Sequence, residues 1–79
     1  MVSACSLITC EHGKYSEVVN KLKNLRHIKR VFSVHGKWDV VADIETENLS
    51  ELSALVLILS NLDGVISSDT LIGFGEDPK

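Results

Sequence analysis

Ile28-Lys29-Arg30-Val31-Phe32-Ser33-Val34-His35, then Gly36-Lys37, then Trp38-Asp39-Val40-Val41-Ala42-Asp43-Ile44-Glu45 is the stretch that decides the fold. Both flanks are rich in β-branched and aromatic residues, the composition of strands. Glycine at the first central position of a two-residue connection suits a type II′ turn. The spacing therefore predicts an antiparallel hairpin with His35 opposite Trp38.

Upstream, Val2 to Thr9 is a mostly apolar run without helical period, a buried strand, and Glu11-His12-Gly13 breaks it. From Lys14 to Arg26 the apolar residues Tyr15, Val18, Val19, Leu22 and Leu25 recur at helical spacing, while Lys14, Glu17, Lys21 and Lys23 lie off the stripe. That pattern is an amphipathic helix with one buried face. Downstream, Asn48 or Thr46 caps a second helix with Glu51 in its first turn. Its core stripe is Leu49, Leu52, Leu55, Val56, Leu59 and Leu62. Asp63-Gly64 ends it, Val65 to Phe74 is the last strand, and Gly75 to Lys79 is expected to be a frayed tail.

The order is β-α-β-β-α-β. An echo 37 residues apart supports two halves: Asn24-Leu25-Arg26-His27-Ile28 and Asn61-Leu62-Asp63-Gly64-Val65 each lead from helix into strand. Right-handed crossovers then put both helices on one side of a four-stranded antiparallel sheet. The expectation is a single α+β domain over residues 1–79, the ferredoxin-like plait.

The chain's 79 residues are 44% hydrophobic and 24% charged. Folding a chain this short buries only ~60% of its unfolded surface, so a lone subunit is marginal. Neither strand parity is free of apolar side chains. Cys5 and Leu7 oppose Ala4 and Ile8, Phe32 and Val34 oppose Val31, Val41 opposes Val40, and Leu71 opposes Ile72. The face without helices is therefore expected to be buried against a second copy, with Val41 in that interface. On a helical wheel Leu57 points away from the core stripe and Ile58 lies well off it, which predicts a further contact between subunits.

Other classes fall away. The longest apolar run, Ala54 to Leu59, is far short of the ~20 residues of a membrane span, and no basic segment precedes an apolar one at the start. Net charge is −3, and a nucleic-acid binder gathers cations to displace counterions, so no direct DNA binding is expected. Cys5 and Cys10 would stand ~16 Å apart in one strand, too far for a disulfide. Both are read as small core residues in a reducing, cytoplasmic setting. No metal-ligand spacing or phosphate loop implies a cofactor.

Leu25-x-x-Ile28-x-x-Val31, Val34-His35-Gly36-Lys37-Trp38-Asp39-Val40-Val41, Leu62-Asp63-Gly64-Val65 and Ser68-Asp69-Thr70-Leu71 together resemble the effector-binding (RAM) domain of the Lrp/AsnC transcriptional regulators. The resemblance runs from Val2 to Phe74, and its most specific parts are Gly36-x-Trp38-Asp39 and Gly64-Val65-x-x-Ser68-x-Thr70. It implies homodimers built sheet to sheet in a dimeric α+β barrel arrangement, dimers joined into larger rings such as octamers, and amino acids bound in clefts between dimers. The chain begins at the first strand, without the helix-turn-helix of the longer regulators, and looks like the stand-alone module. Co-assembly with full-length regulators would follow from the shared plait. The family often has Thr or Ser at the position of His35, Pro at Asp63 and charged residues near Leu57 and Ile58.

A free amino acid offers an ammonium, which needs an anionic acceptor, and a carboxylate, which needs N–H or hydroxyl donors. Asp39 suits the former. Gly36 lets a ligand approach backbone amides, Ser68 and Thr70 share strand parity and offer hydroxyls, and Trp38 can wall the pocket. Each has a plainer role as well: a turn-stabilising carboxylate, a glycine the hairpin needs anyway, ordinary strand hydroxyls, a core tryptophan. Two rival functions stand beside sensing. One is a small enzyme using His35, for which no base, orienting partner and pocket come together in the sequence. The other is an assembly module that binds no ligand.

Overall fold

The computed structural model describes residues 1–73; the expectations for Phe74 and for the tail 75–79 lie outside the described residues. The elements are β1 (Val2–Cys10), α1 (Tyr15–Lys23), β2 (Ile28–Ser33), β3 (Val40–Thr46), α2 (Leu49–Ser60) and β4 (Val65–Ile72). The strands form one antiparallel sheet in the order β2-β3-β1-β4. The β-α-β-β-α-β plait expected from the sequence is the fold.

Alternation on the two central strands divides the sheet. Ala4, Ser6, Ile8 and Cys10 of β1 and Val40, Ala42, Ile44 and Thr46 of β3 are buried beneath the helices. Val18 and Leu22 of α1 and Leu52, Leu55 and Leu59 of α2 close the core over them. Tyr15 and Leu49 start the apolar stripes expected for the two helices, yet both are exposed.

The helix ends show why the echo exists. Helix α1 stops at Lys23, three residues before the expected Arg26, because Leu25 N–H turns back to the Leu22 carbonyl (3.0 Å) and Ile28 N–H to that of Leu25 (3.1 Å). In the second half Leu62 N–H bonds the Leu59 carbonyl (3.4 Å) and Val65 N–H that of Leu62 (3.1 Å). The Asn24 and Asn61 amides each donate to the carbonyl four residues back, Asn20 and Leu57. One exit device is used twice. Asn48, of the two candidate caps, serves α2: its Oδ1 accepts Glu51 N–H at 2.9 Å, while Thr46 Oγ1 donates to the Asn48 carbonyl.

The other sheet face carries no helix. Phe32, Val41, Leu7 and Asp69 lie side by side across all four strands, and Arg30, Asp43, Cys5 and Leu71 form the adjacent row. Apolar residues dominate one row, while the next holds the Arg30–Asp43 ion pair at 2.9 Å. Cys5 stands on this half-exposed face rather than in the core, where only Cys10 is buried; both thiols are free. No helix among the described residues is long and apolar enough to cross a membrane.

Candidate functional site

The β2–β3 connection holds three of the expected site residues. Its register is the one the sequence predicts, with Ser33 opposite Val40 and Phe32 opposite Val41. The tight turn itself does not form. The last closing bond is Val34 N–H to the Asp39 carbonyl at 2.9 Å, so residues 35–38 make a wider loop. The cause lies in Asp39. Its N–H donates to the Ile8 carbonyl at 2.9 Å and its Oδ2 accepts Cys10 N–H at 2.8 Å, which binds the base of the loop to β1. Gly36 sits at φ +126°, away from the value of about +60° that a type II′ turn asks there.

Three features of the loop face outward. His35, Gly36 and Lys37 are exposed and Trp38 is half-buried. Trp38 stands apart from the hydrophobic core cluster, and the Lys37 ammonium lies over its ring, 5.4 Å from the centroid. A half-exposed aromatic plane and a cation thus lie at one end of the sheet, with the half-buried Asp39 carboxylate bonded to β1 at the base of the loop.

Ser68 and Thr70 do share a face, but it is the helix-covered one. Thr70 Oγ1 pairs with the fully buried Ser6 hydroxyl at 3.0 Å, and Ser68 Oγ lies 3.4 Å from that of Ser60 on α2. Asp39 and these two hydroxyls are therefore not brought together within one subunit. Parity along β4 was readable; which parity lies under the helices depended on the partner strand. Ser6 was the missed signal, a serine at the centre of an otherwise apolar parity on β1.

Val41, Leu57 and Ile58 fall where the sequence puts them: Val41 on the helix-free face, Leu57 and Ile58 exposed on α2. A further cleft of about 220 Å³, unforeseen, opens at the opposite end of the sheet beside Arg26, His27, Lys29, Glu45 and Glu47. Within it Lys29 pairs with Glu45 at 3.5 Å, and His27 Nε2 lies 3.9 Å from Glu51 Oε1. Burial, then the nearby Asp43 and Asp39 carboxylates, push the Cys5 and Cys10 thiols respectively above their ordinary range, the opposite of an activated nucleophile. No group of three or more metal-ligating side chains gathers among the described residues.

Known proteins place this arrangement. A 71-residue alignment covering 90% of the chain is 35% identical to the HTH-type transcriptional regulator FL11 of Pyrococcus furiosus, of which it covers 47%. The chain spans about half the length of the curated relatives it matches. Among solved structures, TTHA0845 from Thermus thermophilus superposes with a TM-score of 0.92 at 28% identity, over 100% of both chains. FFRP-DM1 gives 0.91 at 27% identity, over 94% of this chain and all of its own. Residues 3–76 match the model of the Lrp/AsnC ligand-binding domain, and with the plait and its twice-used helix exits in view, the chain belongs to that family.

Proposed function

We propose that this domain is a regulatory module that binds a small zwitterion, an amino acid, at a seam between subunits, and that binding biases which assembly forms. The observation that carries the reading is the Asp39 carboxylate. Oδ2 is fixed by Cys10 N–H, so Oδ1 is presented in a set direction to a ligand ammonium. Gly36 leaves open space where a side chain would stand, giving a carboxylate access to the loop amides, and Trp38 walls the side. Ser68 and Thr70 are left out, since their hydroxyls already have partners on the helix side. The ligand shifts the assembly by no more than its differential affinity for the two forms.

The helix-free face supports self-association. Phe32, Val41 and Leu7 make an apolar row that one subunit leaves in water, and a twofold copy covers it. The same face would meet the equivalent domain of longer regulators. Two free cysteines suit a reducing cytoplasm. The role is binding rather than catalysis, as in the relatives that are transcriptional regulators.

Thermal unfolding against the twenty amino acids tests this. At tenfold excess over Kd a ligand adds about 1.4 kcal/mol, a rise of roughly 5–10 °C for a domain this size. At least one amino acid is expected to do so with the wild type and none with Asp39→Asn. A flat response to all twenty overturns sensing and leaves the ligand-free assembly role.

A further inference from the structure

We infer that the edge formed by β2 and α1 docks a protein partner, and that its occupant is an extended acidic segment, alternating apolar and carboxylate side chains, that adds to the sheet as a strand beside β2.

The charges of the chain are segregated. Seven of its eight Lys and Arg residues lie between Lys14 and Lys37, where Glu17 is the single acid. From Trp38 to Gly73 the sequence has seven acids and no Lys or Arg. The fold keeps the basic stretch together, because α1 packs mainly against β2 and β2 is an outer strand of the sheet. One edge is therefore cationic in a molecule of net charge −3. Among the described residues, Lys23 and Arg26 of that edge form no ion pair.

The same edge has room for a strand. An outer strand leaves alternate backbone N–H and C=O groups without a ladder partner. Between β2 and α1 runs a groove of about 410 Å³, with Tyr15, Val19, Lys23 and Val31 in its walls. A second cleft of about 430 Å³ shares Lys23 and Val31 with it and reaches Lys29 and Arg30. Val31 stands opposite Ala42, which is buried beneath the helices. The groove therefore opens on the helix side of the edge, away from the sheet face proposed to meet a second copy.

Charge and shape select the occupant together. The β2 edge of another copy brings the same cations against these and is repelled. The other outer strand of a copy, β4, carries a single acid, Asp69. A phosphate chain has the charge but no N–H and C=O ladder to offer β2, and the net charge opposes it. An acidic peptide supplies both. Its side chains alternate, so apolar ones meet Val19 and Val31 while carboxylates turn towards the cations. Strand addition takes affinity from the main-chain bonds and specificity from the alternate side chains.

Fluorescence anisotropy on the full chain, with a labelled octapeptide of alternating valine and glutamate, tests the docking. Saturable binding is expected, about tenfold tighter than for a peptide of four valines followed by four glutamates. Lys23→Gln with Arg26→Gln should weaken it about tenfold with unchanged circular dichroism, since both side chains are exposed. Ser53→Glu with Ala54→Glu lowers the net charge equally on α2 and should change binding less than about twofold. No binding at roughly 1 mM peptide overturns the proposal. So does equal binding of the two peptides, or an equal loss in the two double variants, since either reduces the effect to bulk charge. Tighter binding of a twelve-nucleotide oligothymidylate than of the alternating peptide overturns it in favour of nucleic acid. Amino-acid binding at Asp39 is read separately by thermal unfolding, so neither result decides the other.

Discussion

Asp39 Oδ2 and Cys10 N–H, 29 residues apart in sequence, are joined by a 2.8 Å hydrogen bond that fastens the β2–β3 loop to the end of the central strand. One carboxylate oxygen thus holds the scaffold, and the other is the one the proposed function assigns to the ligand ammonium. Substitutions separate the two duties. Asp39→Ala removes an ionised acceptor and leaves a strand N–H without its partner, a cost of ~1–3 kcal/mol in denaturant melts. Asp39→Asn keeps an acceptor and should recover most of that stability while ligand binding stays lost. Equal stability of the alanine variant and the wild type would show that the bond does not secure the loop.

How much of this was readable depends on what each residue answers to. Strand register across Ser33 and Val40 follows from hydrophobic parity and was legible, as were both helices and the doubled exit through Leu25 and Leu62. The wide loop was not, because Asp39 is claimed by Ile8 and Cys10 on a strand that the hairpin pattern cannot see. Ser68 and Thr70 illustrate the same limit. Parity states that two side chains share a face; only the neighbouring strand, through Ser6, decides which face is covered.

Two glycines with positive φ should respond differently to alanine. Gly36 (φ +126°) has open space where a Cβ would stand, so Gly36→Ala meets backbone strain alone, about 1–2 kcal/mol. At Gly64 (φ +98°) the new Cβ would also lie 3.2 Å from Val18 Cγ2 and 3.3 Å from Lys14 Cβ. Val18 is fully buried in the core, so it cannot yield freely, and Gly64→Ala should cost at least ~1 kcal/mol more than Gly36→Ala. Matched chemical denaturation of the two variants reads the difference, and the reverse ranking would contradict the packing described for the α2–β4 junction.

Ser6 and Thr70 form a hydroxyl pair in which Ser6 is fully buried. Thr70→Val leaves the Ser6 hydroxyl desolvated and unpaired, at ~1–3 kcal/mol. The double variant Ser6→Ala, Thr70→Val removes both partners and should recover much of that loss. Amino-acid affinity should change less than twofold in Thr70→Val, because this hydroxyl points under α2. A tenfold loss would return Thr70 to the ligand site.

The raised thiols make an alkaline prediction. In the folded chain Cys5 and Cys10 hold their protons to higher pH than in the unfolded one, through burial first and the Asp43 and Asp39 charges second. Their contribution to stability is therefore complete below the ordinary thiol pKa and fades as pH climbs through the raised one. Asp43→Asn should shift the Cys5 part of that decline to lower pH and speed its alkylation at mildly alkaline pH. An alkylation rate insensitive to Asp43→Asn would remove the carboxylate as a cause.

Val41 is the cleanest probe of the helix-free face, since it sits between Phe32 and Leu7 in the apolar row and contributes nothing to the helix-covered core. Val41→Lys places an ammonium where the second copy would lie. Burying that charge unpaired costs ~3 kcal/mol or more, enough to raise the dissociation constant by over a hundredfold. Light scattering should then find smaller particles than the wild type gives. Because dissociation exposes the row, the melting temperature of the wild type should rise with protein concentration, and that of Val41→Lys should rise less. A Val41→Lys protein of wild-type mass would mean that this face meets water in the working assembly, and the seam proposed to hold the ligand would have to lie elsewhere.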